Sequence, residues 1–179
     1  YFHDLPNDRM YKNFFESGLV NKFSHFVFNS DYQKEEFCNK FDFNGRNISV
    51  IKNSINPIEM KQKKYDGKVN LIYHTTPHRG LELLAHCFPK ILAENDKVHL
   101  KVFSSLKIYG WDEKDKVFEP LYKKLKDMKN VEYNSNVSNE EIRKELVNSH
   151  IFAYPNIWPE SSCIAAIEAM SAKNLLVLP

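Results

Sequence analysis

Apolar residues fall at two alternating spacings along the chain. Between Met10 and Phe23, Phe14, Phe15, Leu19, Val20 and Phe23 recur at helical spacing. The short apolar run "SHFVFNS" predicts a buried strand. Asp31 to Phe41 predicts a second helix, with Ser30 or Asp31 as its cap. "NISVIKN" reads as another strand, ending near Asn53. The stretch that follows, "NSINPIEMKQKKYDGK", is polar and holds a proline, a glycine and the cluster Lys61-Gln62-Lys63-Lys64. It predicts a linker over 57–67, with the end of one domain in residues 1–56 and a second domain over 68–179.

Past the linker, strand and helix patterns alternate. "VNLIYHT" predicts a strand and Arg79 to Glu94 a helix; "VHLKVFS" a strand and Val117 to Met128 a helix. "VEYNSN" is a strand and "SNEEIRKELVNS" a helix, where Ser138 and Glu141 form a Ser-x-x-Glu capping box. "HIFAYPN", a helix from Ser161 to Ala172 and a last strand "NLLVLP" complete the series. Apolar strands separated by helices predict a parallel, doubly wound α/β sheet with right-handed crossovers. Such sheets bind ligands at the carboxyl ends of their strands. The unusual polar sequences "HTTPHRG", "SSLKIYG", "NSNVS" and "PNIWPESS" follow strands, whereas "ENDK" and "DMKN" at the opposite end are ordinary turns.

On that rim, a helix opening after Pro159 would direct the backbone amides of Ser161, Ser162 and Cys163 at a ligand. A helix amino terminus favours phosphate. Arg79 would add a full charge and a planar fork for the same anion. Neither Gly-x-Gly-x-x-Gly nor a Gly-x-x-x-x-Gly-Lys-Ser/Thr loop occurs, so a bound nucleotide would be held by another arrangement of the fold. Glu160 and Glu168 invite comparison with the paired carboxylates of a glycoside hydrolase, which lie about 5–9.5 Å apart. On a continuous helix their spacing gives a rise of about 12 Å, too far to flank one glycosidic bond. Glu168, among Ile164, Ala165, Ile167 and Ala169, needs a hydrogen-bond donor, and a ribose diol would serve.

Composition narrows the classes further. With 179 residues, 42% hydrophobic, the chain can bury a sizeable core. A net charge of +2 from interspersed acids and bases shows no basic stripe of the kind a nucleic-acid binder carries. The remaining basic cluster, Lys123-Lys124-Leu125-Lys126, reads like Lys61 to Lys64 as a solvated face. Cys38, Cys87 and Cys163 are too few and too far apart for a disulfide framework or metal site, and fit a reducing compartment. No run approaches the roughly 18 apolar residues of a membrane span, and nothing after Tyr1 reads as a signal peptide. The opening "YFHD" and the closing "NLLVLP" suggest a piece of a longer protein, in which His3-Asp4 is structural or incidental.

Three motifs in order resemble the retaining glycosyltransferases of group 1 (family four), which have the GT-B fold. They are "PESSCIAAIEAMSA" after the strand ending "AYPN", "IYHTTPHRGLELLAHCFPKI", and "FVFNSDYQKEEF" followed by "ISVIKNSI". The resemblance implies a Rossmann-like carboxyl-terminal GT-B domain preceded by the tail of the amino-terminal, acceptor-side domain. It implies transfer of a sugar, with retention, from a nucleoside-diphosphate-sugar donor to a glycan, a lipid-linked sugar or another hydroxyl acceptor, with no metal cofactor. Glu160 would contact donor-sugar hydroxyls and Glu168 the ribose, while amides at Ser161 to Cys163 and the Arg79 side chain would hold the diphosphate. Asn136 and Val137 would hold the base through the backbone, and His74, Thr75 and Thr76 would line the same cleft. His74 stands where the family often has arginine, Cys163 where a glycine is common, and Lys173 where a glycine usually follows the helix. A cytoplasmic location is implied, with room for peripheral association of the full-length protein with the membrane face. Since acceptor groups come mostly from the first domain, this piece is expected to bind donor weakly and transfer nothing. A GT-B epimerase and a non-catalytic interaction module are the competing readings.

Overall fold

A computed structural model describes residues 4–7, 9–59, 63 and 65–179. They form two compact units. One comprises the chain through Ile55 with Pro159–Ile164; the other comprises Asn56–Trp158 with Ala165–Pro179.

In the first unit the helix expected to reach Phe23 stops early. Helix α1 spans Arg9–Glu16; Gly18 then turns left-handed at φ 73°, and the chain resumes as a 3-10 turn over Leu19–Lys22. The apolar spacing runs through this break because both pieces face one core: Tyr11 and Val20 are buried, and Phe14 and Phe15 pack against the same cluster. Strand β1 (His25–Phe28), helix α2 (Asp31–Lys40) and strand β2 (Asn47–Val50) follow, with β2 ending short of Asn53. The two strands pair in parallel, His25 opposite Asn47 and Phe28 opposite Val50. The core is aromatic: Phe28 and Phe37 are fully buried, and Phe15 stacks on Phe41 at 4.0 Å. Such ring pairs add about 0.5–1.5 kcal/mol beyond their buried area.

Of the two caps the sequence allows for α2, Ser30 is the one formed, its Oγ accepting from the Gln33 amide at 3.1 Å and donating to the Ser161 carbonyl at 2.6 Å. Ser30→Ala is therefore expected to destabilise this unit by about 1–2 kcal/mol. Amide hydrogen exchange in α2 measures it, and unchanged protection would remove the cap from the account. His3 lies outside the described residues; the Asp4 carbonyl accepts from the buried Gln33 side chain at 2.8 Å.

The second unit is the α/β sheet. Its elements are β3 (Val69–Tyr73), α3 (Leu81–Glu94), β4 (Val98–Phe103), α4 (Asp112–Asp115), α5 (Glu119–Asp127), β5 (Val131–Asn134), α6 (Asn139–Asn148), β6 (Ile151–Ala153), α7 (Ile164–Ser171) and β7 (Leu175–Val177). Five strands run in the order β5-β4-β3-β6-β7, and every pair is parallel. From β3 the chain steps outward to β5 and returns to the other side of β3 for β6 and β7. The strand order thus reverses between β3 and β6, and that point opens a crevice at their carboxyl ends. Ile72, Tyr73, Val102 and Phe152 of the sheet are fully buried, as are Leu81, Ala85 and Phe88 of α3, Leu125 of α5 and Leu146 of α6.

Three helix starts shift inward from their expected positions. Pro77–Arg79 is a 3-10 turn, so α3 begins at Leu81 rather than Arg79. A 3-10 turn over Lys116–Phe118 precedes α5, and α7 begins at Ile164 rather than Ser161. Ser138 caps α6, its Oγ accepting from the Glu141 amide at 3.2 Å. Lys123, Lys124 and Lys126 are exposed, as expected. Lys63 is not a solvated linker residue: its Nζ donates to Asn174 Oδ1 at 2.8 Å and to the Ser149 carbonyl just past α6, and burial lowers its pKa to about 8. Lys61, Gln62 and Lys64 lie outside the described residues. No helix among the described residues is long and apolar enough to cross a membrane.

Candidate functional site

The loop leaving β3 is pinned through its carbonyls. Tyr73 donates its hydroxyl to the Thr76 carbonyl at 2.9 Å, and Ser104, just after β4, donates to the Thr75 carbonyl at 2.7 Å. The Arg79 amide also donates to Thr76, at 3.2 Å. The side chains on this fixed backbone are not satisfied: His74 Nε2, Thr75 Oγ1 and Thr76 Oγ1 are buried with no partner among the described residues. Each such atom costs about 1–3 kcal/mol when left unmet. Three such atoms fall on consecutive residues, at the point where the strand order reverses.

The His74 ring packs 4.9 Å from Phe152. Burial lowers its pKa to about 4, against the opposing pull of the Ala165 carbonyl and its own, so the ring is neutral at neutral pH. The same carbonyl places the first turn of α7 beside this loop. His78 sits edge-on to Trp158 at 4.9 Å, and burial, then the charge of Arg79, lowers its pKa. Arg79 is half-buried at the end of its 3-10 turn. Gly80 closes the turn at φ 100°, and a β-carbon there would lie 2.0 Å from the Pro155 carbonyl oxygen. The loops after β3 and β6 therefore touch through backbone.

Glu168 is buried on α7. The donors it requires come from α6: Asn139 Nδ2 reaches Oε1 at 3.0 Å, and Arg143 Nη1 lies 3.6 Å from the same oxygen. Arg143 in turn donates to the carbonyls of Asn56 and Pro57 at 2.8 and 2.9 Å. Both contacts on Glu168 fall on Oε1. Asn136 is exposed and Val137 half-buried, in the loop between β5 and α6.

Glu160, Ser161, Ser162 and Cys163 fold with the first unit. Ser161 Oγ accepts from Asn29 Nδ2 at 2.9 Å, and the Ser162 carbonyl accepts from Asn53 Nδ2 at 3.2 Å. These residues form an irregular lead-in; the first helical amides of α7 belong to Ile164, Ala165 and Ala166. The eight-residue helical step assumed between Glu160 and Glu168 therefore does not exist. Among the described residues, no group of three His, Cys, Asp or Glu side chains could hold a metal ion.

The stretch that carries this loop and Glu168 coincides with a known family: the model for glycosyl transferases group 1 matches residues 57–178. The chain belongs to that family. Its α/β Rossmann-like parallel sheet is that of a GT-B carboxyl-terminal domain, and solved structures share it. One is an α,α-trehalose-phosphate synthase (UDP-forming) from Burkholderia vietnamiensis, with 13% identity, TM-score 0.72, and coverage of 99% of this chain and 50% of that one. Another is a point mutant of S. aureus TarM in complex with fondaparinux, alpha-GlcNAc-glycerol and UDP, at 19%, 0.63, 98% and 34%. The pneumococcal O-GlcNAc transferase GtfA in complex with UDP and GlcNAc gives 13%, 0.65, 93% and 31%. At these identities the likeness is one of fold, and the chain spans between about a third and a half of those structures. No curated protein matches it.

Several residues that build this glycosyl transferase sheet had no signal of their own in the sequence. Asn139 and Arg143 read only as the polar face of α6, and Gly80 only as part of a motif. Their spacing from Glu168 and Pro155 is legible only once the sheet is closed.

Proposed function

We propose that residues 68–179 are the donor-binding domain of a retaining GT-B glycosyltransferase. The three unpartnered buried atoms of His74, Thr75 and Thr76 at the carboxyl end of β3 carry the reading. These groups, Arg79 and the amides of Ala165 and Ala166 would hold a diphosphate: neutral hydrogen-bonding groups orient it, and one guanidinium offsets part of its charge. As the glycosidic bond breaks, negative charge grows on the leaving phosphate, and preformed donors stabilise it there without reorganising.

Glu168, held through Oε1, offers Oε2 to the ribose hydroxyls. Asn136 and Val137 bracket the base with their backbone. Glu160 takes hydroxyls of the donor sugar, a role that rests on its place in the "PESS" motif, as do the backbone contacts of Ser161, Ser162 and Cys163. The acceptor is a hydroxyl of a glycan, a lipid-linked sugar or a similar molecule, and no metal enters the reaction. Residues 1–56 are the end of the acceptor-side domain, 57–67 the linker and 68–179 the donor domain.

Calorimetric titration with UDP, GDP and ADP tests this reading. One nucleotide is expected to bind saturably, and Glu168→Gln to weaken it tenfold or more, about 1.4 kcal/mol. The 2′-deoxy form of that nucleotide should bind more weakly and lose nothing further in the variant. Equal losses for ribose and deoxyribose forms would remove Glu168 from the ribose, and no binding by any of the three would overturn the donor site.

A further inference from the structure

Between Phe103 and α5 the chain forms a protruding segment: a 3-10 turn over Leu106–Tyr109, then Gly110, Trp111 and α4. Its inner side is built with unusual care. The buried carboxylate of Asp115 accepts from the Leu106 amide at 2.6 Å, the Ser105 hydroxyl at 2.9 Å and the Tyr122 hydroxyl at 2.7 Å. Tyr122 itself stacks on Tyr133 at 4.8 Å. A buried carboxylate with three donors ties both ends of the segment to one shape.

The outer side presents apolar groups to solvent. Tyr109 is 55% and Trp111 46% exposed, with ring centroids 5.1 Å apart, and Ile108 and Val117 flank them. The Lys114 ammonium lies 4.3 Å over the Trp111 ring. About half of each ring nevertheless stays in water on a rigid frame, and such patches mark binding surfaces.

The charge around the patch selects the occupant. Lys107, Lys114 and Lys116 are matched by Asp112, Glu113 and the buried Asp115, and Lys116 is paired with Glu113 at 2.8 Å. A nucleic-acid backbone or an anionic membrane calls for net positive charge, which is absent here. A neutral pyranose fits instead: its axial C–H groups form an apolar face with a slight positive charge, complementary to the negative face of an aromatic ring. Its hydroxyls would meet Lys114 and Asp112 at the rim. The segment is also near the candidate site. Ser104, at its start, is bonded to the Thr75 carbonyl, and the 3-10 turn from Ser105 to Tyr109 rises only about 8 Å.

We propose that Tyr109 and Trp111 form a stacking platform for a neutral pyranose of the acceptor glycan, beside the donor loop. This rests on the glycosyltransferase reading given above. The test is saturation-transfer difference spectroscopy of the whole chain with maltotetraose, cellotetraose and chitotetraose, alongside UDP titration of the same samples. At least one tetrasaccharide is expected to bind. Its affinity should fall tenfold or more in Trp111→Ala and stay within about threefold in Trp111→Phe, which keeps the stacking face, with UDP binding unchanged in both.

No binding by any of the three sugars, or binding indifferent to Trp111→Ala, overturns the platform. So does Trp111-dependent self-association, or Trp111-dependent binding to phosphatidylserine vesicles, in the absence of sugar binding. UDP binding without sugar binding defeats the platform alone. Trp111-dependent sugar binding without binding of any nucleoside diphosphate defeats the donor-site reading and leaves a glycan-binding surface.

Discussion

Gly80→Ala is expected to lower the unfolding free energy of the second unit by about 3–5 kcal/mol. Two costs combine at this position. A β-carbon would lie 2.0 Å from the Pro155 carbonyl oxygen and 2.9 Å from its carbon, both backbone atoms that no side-chain rotation can clear. At φ 100° a non-glycine residue also carries left-handed strain of about 1–2 kcal/mol. Gly67→Ala separates the two: its φ is 89°, yet a β-carbon there meets nothing within 4 Å, so only the strain is expected. Urea unfolding read by tryptophan fluorescence is the appropriate measurement, since Trp111 and Trp158 both lie in the second unit. Equal losses in the two variants would show that the loops after β3 and β6 separate easily. The larger loss in Gly80→Ala should be accompanied by loss of nucleotide binding, because the displaced backbone carries Thr76 and Arg79 at one end and leads to Trp158 at the other.

The strands and the parallel sheet were legible because their signals are local. Runs such as "VNLIYHT" are apolar on both faces, as strands covered on both sides must be, and the polar loops all fell after strands. Ser30 and Ser138 announced their helices by cap chemistry, which depends only on residues three positions on. Boundaries were lost where the backbone changes hand without breaking the apolar spacing. Gly18 divides α1 from the 3-10 turn, yet Phe14, Phe15 and Val20 still reach one core, so the periodicity runs on across the break.

Long-range contacts account for the rest. Asp115 sits in the charged stretch "DEKD", and only the closed segment brings its three donors to it. Lys63 belongs to a basic run in a polar linker, and its acceptors come from the far ends of α6 and α7. The sequence identified the need of Glu168 for a donor but assigned it to a ligand, whereas Asn139 and Arg143 supply it first. The helix expected from Ser161 begins only at Ile164, because Ser161 and Ser162 are bonded to Asn29 and Asn53, contacts more than a hundred residues apart in the chain.

Acidification should destabilise the second unit through His74, by about 3 kcal/mol between pH 6.5 and pH 4. Burial lowers the folded pKa to about 4, while an unfolded histidine titrates near its ordinary 6.5. As pH falls through 6.5, the unfolded chain takes up a proton that folded His74 refuses. The contribution to stability is therefore complete above 6.5, declines with falling pH, and is exhausted below about 4. Other groups titrate in the same range, so the informative quantity is the difference between the wild-type chain and His74→Gln, which cannot titrate. From pH 7.5 to pH 4 the wild type should lose about 3 kcal/mol more than the variant in urea unfolding followed by tryptophan fluorescence. Parallel pH profiles would mean that His74 is hydrated or paired in the folded state, and Nε2 would no longer count among the unmet atoms of the loop. A phosphate bound at this loop would supply the missing partner and favour the protonated ring. Saturating nucleotide should therefore flatten the wild-type profile toward that of the variant, tying the pH dependence of folding to occupation of the donor site.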